Sequence, residues 1–433
     1  MPHPLTALKV ETVVKPAADT PRHEVNADVC IVGAGIAGMS AAIESARLGR
    51  DVVLVDALPV LGGQMINSLI GLFAGVFGNA PEYRQLTHGI FDDIFAHLGA
   101  AGPGHIHFTR HHTCIVHYDE VTLARWLEDT VRELGIRPIL GAVIQRVEVA
   151  DGRVRKVTFA TRYGDVAVSA TGFVDASGDA ALAWEAGLPC WLPERTIYGS
   201  QQAIVEFVDM DHKPDLQEMH ARLAERHGAY GLTRRDGLAF FFPERGTAVL
   251  NMTHIEAPLD PVEASRAQLD GRTQADRALE FLRAEYPKAF ANARMRGYGF
   301  PGRRQTRWLK ARHQLTVEEV RAGTRFDDAV ARTAWPIELH DRVTGYVWET
   351  FDADHVHYVP LRSMTPPDVH NMLAAGRCVD GDPAALSSVR VMGPCAAMGA
   401  GAAHALDIAG KDSVHDIDLT ELRGRLRHNL DDD

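Results

Sequence analysis

The chain has 433 residues, of which 46% are hydrophobic and 24% are charged, and its formal net charge is −12. This composition is ordinary for a globular protein, and the length predicts two domains or one large domain with an insertion. The acidic balance argues against nucleic acid and anionic membrane surfaces as partners.

The five cysteines are scattered along the chain and form no CxxC pair. We therefore expect free thiols in a reducing compartment, with the cytoplasm as the location, rather than disulfides or a zinc site. No apolar run has the length of a membrane span, and residues 1–26 lack the apolar core of a signal peptide. We expect residues 1–25 to form a loose arm with one short strand over residues 8–14.

Residues 28–56 have the pattern of a mononucleotide-binding unit. An apolar strand over residues 29–32 runs into the signature GAGIAG at residues 33–38, and an alanine-rich helix follows. A second apolar strand over residues 52–55 ends at an acid. A strand, a glycine signature, a helix, a second strand and an acid in this order predict a dinucleotide site.

Each part of that pattern has a physical role. Gly33 permits the tight turn out of the strand, and Gly35 lets a pyrophosphate approach the backbone without a Cβ in the way. Gly38 lets the helix pack closely on the sheet. The helix N-terminus favours phosphate groups, and Asp56 can accept hydrogen bonds from a ribose.

The following segment can lie beside the same ligand. Its adjacent glycines, Gly62 and Gly63, would let the backbone pass the phosphates or the isoalloxazine edge of a cofactor, although a flexible loop is the alternative. Residues 65–78 are apolar and too irregular for a helix, so we expect them to lie along the cofactor or to roof its pocket. Residues 82–98 have helical spacing.

A histidine-rich stretch follows that has the composition of a metal site: His105, His107, His111, His112, Cys114 and His117. The apolar residues between these side chains alternate as in a strand, and neighbours on a strand point to opposite faces. No carboxylate is suitably interleaved. We therefore predict exposed or core histidines and no metal site.

Residues 123–196 continue the predicted cofactor domain. We expect, in chain order, a helix (123–134), a strand (136–149), a hairpin turn (150–152), two strands (154–159 and 166–170) and a short helix (181–186). Between the last strand and helix, GFVDASGD at residues 172–179 predicts a buried strand that ends in small residues and an acid. A second backbone segment can approach the dinucleotide there.

The composition changes between residues 197 and 347, where arginine becomes more frequent. We expect strands over residues 201–208 and 248–254, and one or two helices over residues 261–286. No glycine signature follows a strand in this part. We therefore interpret it as an inserted α+β substrate domain.

Two motifs of this part have side chains suited to chemistry. Arg304 and Arg307 in GRRQTR can hold a carboxylate, and His340 in PIELHD can move protons near neutral pH. The alternatives are a solvated or salt-bridged face for the arginines and a structural hydrogen bond for the histidine.

The sequence of residues 371–408 predicts that the chain returns to the first domain. We expect a buried strand over residues 371–378, a loop over residues 379–388 and an alanine- and glycine-rich helix from about residue 389 to 408. Pro394 fits the first turn of that helix. Its N-terminus can face an anionic group, which for FAD would be the pyrimidine end of the flavin. Close packing of this helix on the first unit favours FAD over NAD.

The fold class that follows is α/β: a Rossmann-like FAD-binding domain, with a parallel sheet and an antiparallel crossover unit, plus the inserted α+β substrate domain. The predicted bounds are an N-terminal arm (1–25), the FAD-binding domain (26–196 and 348–412), the substrate domain (197–347) and a C-terminal tail (413–433).

The combination of these motifs resembles the FAD-dependent oxidoreductases among the glutathione-reductase-type flavoproteins, distantly akin to the fumarate reductase flavoprotein. The resemblance covers nearly all of residues 26–410. It implies that Val143 offers backbone bonds to the adenine and that Arg377 lies at the flavin. No histidine matches the covalent-flavin pattern of fumarate reductases, so we predict noncovalent FAD. The residues that the fingerprint and the resemblance together place at FAD are Gly33, Gly35, Ala37, Gly38, Asp56, Ala57, Gly63, Gln64, Val143, Ala176, Gly178, Asp179, Gly376, Arg377, Val389, Arg390 and Val391.

The function that we expect is a dehydrogenase or oxidase that takes a hydride from a small organic substrate to flavin N5. Arg304 and Arg307 would anchor the substrate, and His340 would carry the proton. The electron acceptor is unknown, because no second glycine signature predicts a dedicated nicotinamide domain. An NAD(P)H-fed flavin reductase or monooxygenase and a non-catalytic flavin-binding redox partner are the alternatives, and a homo-oligomer is an open possibility.

Overall fold

The computed structural model describes Thr12 and residues 22–431. The strand expected over residues 8–14 therefore falls, except for Thr12, outside the described residues.

Helices and strands are numbered here in chain order. Within residues 22–431 the strands are β1 (Arg22–Val32), β2 (Val52–Asp56), β3 (Leu72–Phe73), β4 (Ile106–Arg110), β5 (Cys114–Tyr118), β6 (Arg137–Leu140), β7 (Val143–Ala150), β8 (Arg153–Thr161), β9 (Gly164–Asp175), β10 (Cys190–Trp191), β11 (Ala203–Glu206), β12 (Leu238–Phe242), β13 (Thr247–Asn251), β14 (Arg294–Tyr298), β15 (Trp308–Leu309), β16 (Ala329–Thr333), β17 (Ile337–Arg342), β18 (Gly345–Glu349), β19 (His357–Pro360) and β20 (Met372–Ala374). The α-helices of the same part are α1 (Ile36–Arg47), α2 (Gly63–Asn67), α3 (Ile90–Ala100), α4 (Glu120–Glu133), α5 (Ala181–Glu185), α6 (Leu216–Arg226), α7 (Pro261–Glu285), α8 (Pro287–Phe290), α9 (Val317–Ala322), α10 (Pro383–Val389), α11 (Met392–Ala409) and α12 (Leu419–Arg425).

The central sheet has the strand order β6-β2-β1-β9-β8-β7, and β20 pairs with β9. Strands β6, β2, β1, β9 and β20 run parallel, whereas β9, β8 and β7 form an antiparallel meander. This arrangement confirms the predicted α/β class with a parallel sheet and an antiparallel unit. Register places Val32 of β1 opposite Val55 of β2 and Asp175 of β9, so the carboxyl ends of three strands meet at one edge.

Both faces of this sheet are covered, as the near-continuous apolar sequence of its parallel strands requires. Val29 and Ile31 of β1 belong to one core, and Cys30 and Val32 belong to the core on the opposite face. Alternation of side chains along a strand explains this division.

Helices α1 and α11 cross closely on the first face. Their small residues permit this, because a Cβ on Gly399 of α11 would collide with the carbonyl oxygen of Ala37 in α1. The two ends of the described chain therefore build one layer against the sheet.

A second sheet, with the order β12-β13-β11-β14, has a separate core with α6, α7 and α8 that covers residues from Val205 to Ala293. Trp308, Val320 and Ile337 instead belong to the first core. Residues after position 412 also pack on that core, through Val414 and the leucines of α12 and its C-terminal neighbours. The domain bounds predicted from the sequence stay a prediction.

Three expectations about local structure were wrong. Residues 82–89 are not helical, because Tyr83 and Gly89 have positive φ angles of 49° and 73° and α3 begins only at Ile90. Residues 65–78, which were expected to be irregular, begin within α2 (Gly63–Asn67). The segment expected to be a loop contains α10, where Pro383 occupies the first turn and the Asp382 side chain accepts from the N–H groups of Ala384 and Ala385 at 2.9 Å.

Among the described residues, no helix combines the length and the apolarity that crossing a membrane requires. Within the same residues, no group of three or more His, Cys, Asp or Glu side chains is arranged to hold a metal ion. The histidine-rich stretch forms the β4–β5 hairpin, as its alternation predicts.

Candidate functional site

One cavity of about 790 Å³ lies at the carboxyl edge of the central sheet, and its size is that of a site for a large organic ligand. At one end it is lined by the glycine signature between β1 and α1. At the other end it is lined by residues of the β12–β13 and β17–β18 hairpins and of the segment around Arg304. The cavity therefore joins the first βαβ unit to segments of the chain that lie between β9 and β20.

The glycines at the first end shape a cradle for a ligand. Gly33 has φ of 105°, and a Cβ there would collide with the carbonyl oxygen of Ala176. Gly35 precedes α1, and a Cβ on it would meet no protein atom within 4 Å, so its open side faces the cavity. A Cβ on Gly63 would lie 2.7 Å from Cα of Gly35. A ligand phosphate can thus approach the backbone at the N-terminus of α1, as FAD requires.

Asp56 ends β2 on the same wall of the cavity. Its Oδ2 accepts from the N–H of Ala34 at 2.6 Å, and its Oδ1 accepts from the N–H of Leu58 at 2.7 Å. Burial raises the pKa of this carboxyl, while the two hydrogen bonds lower it. The carboxylate is therefore held in place, with lone pairs left for a ribose.

Most of the other predicted cofactor residues also line the cavity: Ala37, Ala57, Gln64, Ala176, Gly178, Asp179, Gly376, Arg377, Arg390 and Val391. Gly38, Val143 and Val389 do not. Gly38 packs against Gly33, Val389 is fully buried and Val143 is 58% exposed. Val143 follows Ala142, whose N–H donates to the carbonyl oxygen of Asp56 at 2.9 Å, so it lies near the second strand of the signature.

Two buried guanidinium groups at this cavity have donors without an acceptor in the described part of the chain. Nη1 of Arg377 and Nε of Arg390 are buried and have no hydrogen-bond partner there. Nη2 of Arg377 lies 3.6 Å from Oδ1 of Asp179. Buried donors normally have an acceptor, and the carbonyl and ring nitrogens of a flavin would supply acceptors. The cavity residues therefore fit FAD at this end as well.

Helix α11 begins beside the same arginines, with Val391 before its first residue and Pro394 in its first turn. The N–H of Gly393 donates to the carbonyl oxygen of Ala74 at 3.0 Å, and Pro394 has no N–H. Val391, Met392 and Cys395 line the cavity. Helix α11 therefore contributes its dipole and its N-terminal backbone to the site. It offers few free N–H groups there, because that of Gly393 is already bonded and Pro394 has none.

Three arginines meet at the far end of the cavity, where Arg234 is buried and Arg304 and Arg390 are partly buried. Arg304 donates from Nη1 to the carbonyl oxygen of Tyr198 at 2.8 Å, and burial, followed by the charge of Arg234, lowers its pKa to about 9. Nε of Arg234 donates to Oδ1 of Asp236 at 2.8 Å. Nη2 of Arg390 donates to the carbonyl oxygen of Glu338 at 3.3 Å. Glu338 is the carboxylate that faces Arg304 and Arg390.

The predicted catalytic residues differ in their places. Arg304 lines the cavity, but His340 and Arg307 do not. His340 is fully buried behind Glu338, with Nε2 2.9 Å from Oε1 of that residue. Nε of Arg307 donates to the carbonyl oxygen of Asp179 at 3.1 Å, and its guanidinium lies 4.4 Å from the ring centre of Trp184.

Sequence reasoning missed Arg234, Glu338 and the aromatic residues that line this end: Trp335, Tyr346 and Trp348. A signal for Glu338 was present, because it lies two positions before His340 in a strand and therefore on the same face. No local pattern singled out Arg234, which comes from a distant loop.

Comparison with known proteins identifies a family. The model of the family described as FAD dependent oxidoreductase matches residues 28–426. A KsdD-like steroid dehydrogenase from Mycolicibacterium smegmatis is 46% identical over 63 residues, which are 14% of this chain and 11% of that protein. The chain thus matches a small part of that relative's length.

Two solved structures align with most of this chain at low sequence identity. A geranylgeranyl bacteriochlorophyll reductase-like protein from Thermoplasma acidophilum is 14% identical, with 94% of this chain and 87% of that chain covered and a TM-score of 0.47. The flavin-dependent brominase Bmp2 is 14% identical, with 93% and 83% covered and a TM-score of 0.48.

Proposed function

Because the chain belongs to the family of FAD-dependent oxidoreductases, and is thus an enzyme that uses FAD, we propose that it is a dehydrogenase or oxidase for a small organic acid. When bound, FAD supplies an acceptor for a hydride from a substrate carbon. The observation that carries the proposal is the single cavity that runs from the glycine signature to the arginine-rich end. The substrate would bind at that second end, between the inserted part and the cofactor.

The charges at the arginine-rich end favour a substrate with a carboxylate. Arg234 is paired with Asp236, whereas Arg304 and Arg390 share Glu338. At least one positive charge is therefore left without a carboxylate partner among these groups. A buried positive charge is costly unless it is paired, so an anionic substrate would be bound more strongly than a neutral one.

Aromatic side chains complete this end of the proposed substrate site. Trp335 and Trp348 meet edge to face with ring centres 5.6 Å apart, and Trp348 meets Tyr346 in the same manner at 6.0 Å. These contacts hold the rings in fixed orientations, with Trp335 buried and Trp348 43% exposed. We propose that they pack against the carbon skeleton of the substrate while Arg304 binds its carboxylate.

The test is an anaerobic screen in which purified, FAD-loaded protein is mixed with metabolites and the loss of flavin colour is recorded. We expect bleaching by one or more carboxylates, and slower or no bleaching by their amides. Rapid bleaching by NADH or NADPH, with none by carboxylates, would overturn the proposal in favour of an NAD(P)H-fed reductase or monooxygenase. Denaturation should release the flavin into the supernatant, since we propose that FAD is bound noncovalently.

A further inference from the structure

A chain of hydrogen-bonded side chains runs from the arginine-rich end of the cavity into the protein. It begins at Glu338, whose Oε1 lies 2.9 Å from Nε2 of His340. Nδ1 of His340 lies 3.0 Å from Nε2 of His254, and Nδ1 of His254 lies 2.9 Å from the carbonyl oxygen of Val343. Of these residues, Glu338 alone lines the cavity, with its side chain 23% exposed.

The hydrogen-bond partners determine how many protons this chain holds. A carbonyl oxygen only accepts, so Nδ1 of His254 must carry a proton. A second proton is needed between the two imidazoles and a third between His340 and Glu338, because facing lone pairs would repel at these distances. Two neutral imidazoles supply only two protons. The three side chains therefore hold one proton more than an ionised Glu338 and two neutral histidines would.

We propose that Glu338 is the acid–base residue of this site, and that His340 and His254 are positioning residues that hold it in a closed proton chain. This inference rests on the proposed function, because it assigns the proton of the same oxidation. The hydrogen and electron pair of the substrate C–H bond would pass to bound FAD, which would be the oxidant of this step. The neighbouring O–H or N–H bond gives its proton to Glu338, and a C=O or C=N bond forms.

One oxygen of Glu338 is placed to take that proton. Oε1 is occupied by His340, while Oε2 accepts from Nε1 of Trp335 at 3.1 Å. A carboxylate oxygen has two lone pairs, so Oε2 has one left for the substrate. If the shared proton lies on Oε1, it can move to Nε2 of His340 as the new proton arrives on Oε2. In either case the added proton leaves Glu338 protonated and His340 as an imidazolium, and the lowered pKa of His340 favours the return of that proton to Glu338.

The far end of the chain is closed. The carbonyl oxygen of Val343 cannot take up a proton, so a proton that reaches His254 has no onward acceptor in the chain. A proton taken from the substrate must therefore return to the cavity through Glu338. We expect it to leave there, with the second substrate that reoxidises the flavin.

The surrounding charges favour Glu338 as the exchanging group. Burial and then the charges of Arg304, Arg234 and Arg390 lower the pKa of His340 well below its usual range. Among the other titratable groups at this end, Tyr346 stacks on His340 with ring centres 4.7 Å apart. Burial and then the charge of Glu338 raise the Tyr346 pKa to about 12, so its phenol is a poor proton acceptor.

A first experiment counts the protons without any substrate. FAD-loaded protein with ¹⁵N-labelled histidine and ¹³C-labelled glutamate is studied by NMR at neutral pH, with signals assigned from the variants Glu338→Gln, His340→Gln and His254→Gln. We expect one extra proton, seen as a protonated Glu338 carboxyl, as an imidazolium or as a signal shared between them. An ionised Glu338 with both imidazoles neutral would overturn the proposal, whatever the substrate is.

A second experiment tests the role of Glu338 in the reaction. With a metabolite that bleaches the wild-type flavin, Glu338→Gln should slow anaerobic bleaching by about 100-fold or more. FAD content should stay unchanged, since Gln has the same shape. The matched variant Tyr346→Phe removes a hydroxyl from the same end of the cavity and keeps the ring on His340. An unslowed Glu338→Gln, or a larger loss with Tyr346→Phe, would overturn the assignment.

The two experiments separate this inference from the proposed function. If no metabolite bleaches the wild-type flavin, the proposed dehydrogenase or oxidase fails, while the NMR count still decides whether the closed proton chain exists. If bleaching occurs and the extra proton is absent, the proton chain fails and the proposed function stands.

Discussion

Arg304 and Arg307 lie three positions apart in one segment, yet their guanidinium groups occupy different environments. Arg304 lines the cavity, and Arg307 lies on Trp184 and the backbone of Asp179. The sequence motif predicts both arginines as anion ligands, because nothing in the sequence distinguishes one arginine of a cluster from another. Only the direction that each side chain takes from the backbone separates them.

We predict that Arg304→Gln raises the KM for a carboxylate substrate by roughly 10- to 100-fold. The reason is the loss of a charge-assisted hydrogen bond, which contributes about 1.5–3 kcal/mol. The concentration dependence of anaerobic bleaching measures this value. Arg307→Gln is the matched control and should change the KM less. Equal effects of the two variants would show that the cavity charge acts without contact to the substrate.

A second residue-scale prediction concerns Gly35, whose open side faces the cavity. Because a Cβ there would meet no protein atom within 4 Å, Gly35→Ala should leave the thermal unfolding of FAD-free protein unchanged. The same Cβ would obstruct a pyrophosphate, so we expect FAD affinity to fall at least tenfold. Equilibrium titration of FAD-free protein with FAD measures that affinity.

Gly99 offers the control for this variant, since it is exposed in α3 and a Cβ on it would also meet no protein atom within 4 Å. Gly99→Ala should keep FAD affinity and raise the free energy of unfolding by up to about 1 kcal/mol. Unchanged FAD affinity in Gly35→Ala would contradict the position assigned to the pyrophosphate.

At the scale of elements, the site depends on two helices whose sequences are far apart. Helix α1 carries part of the glycine signature, and α11 begins beside Arg390, which lines the same cavity. The glycine at position 399 allows their close crossing. Their mutual packing therefore sets the distance between the two ends of the cofactor site.

We predict that Gly399→Ala lowers the free energy of unfolding by about 1–3 kcal/mol, because the added Cβ would collide with the carbonyl oxygen of Ala37. FAD affinity should fall as well, since a shift of α11 moves its N-terminus. Chemical denaturation and FAD titration measure the two effects. Gly424→Ala in α12 adds a Cβ in open space and should cause neither. A stable Gly399→Ala with normal FAD affinity would mean that the helices can separate without moving the site.

Elements differ in how well the sequence predicts them. The strands and helix of the signature follow from local apolar spacing and glycine, and the structure has the helix and the second strand at nearly the predicted positions. The first strand was expected over residues 29–32 but begins at Arg22, so residues 22–25 are part of the sheet and not of a loose arm. The error at α3 has a local cause, the positive φ angles before it. The error at α10 has a local cause as well, because Asp382 and Pro383 are a capping residue and a first-turn proline. Short helices in irregular surroundings leave too few residues for a periodic signal.

At the scale of the whole molecule, the end of the cavity with the glycine signature is predictable from the sequence, and the arginine-rich end is not. The glycines and Asp56 are consecutive in one βαβ unit whose geometry is the same wherever it occurs. Arg234, Glu338 and Arg390 come from three distant segments. Their meeting depends on how the segments between β9 and α11 pack on the central sheet, and no local pattern in the sequence encodes that packing.

Buried neutral histidines are another property of the whole molecule, and they make its stability depend on pH. Burial lowers the pKa of His357 to about 3, of His117 to about 4 and of His254 to about 2. An unfolded chain binds these protons with a pKa of about 6.5. Between that value and the lowered ones the unfolded state binds more protons, so stability falls as the pH falls. Burial raises the pKa of Asp380 to about 6, and it also raises the pKa values of Asp56 and Asp175, so these carboxyls oppose the trend as they take up protons in the folded state.

We predict that His357→Asn reduces the loss of unfolding free energy between pH 7 and pH 5 by about 1–2 kcal/mol. The fully buried His357 imidazole stays neutral in the folded state across this range, while in the unfolded state it takes up a proton. Only the unfolded state gains the free energy of binding this proton. That gain grows by about 1.4 kcal/mol per pH unit below 6.5, and it lowers the free energy of unfolding by the same amount. Urea denaturation at the two pH values measures the difference. The exposed His23, replaced in the same way, is the control and should leave the loss unchanged. An equal loss in wild type and His357→Asn would mean that protonation of other groups drives the acid sensitivity.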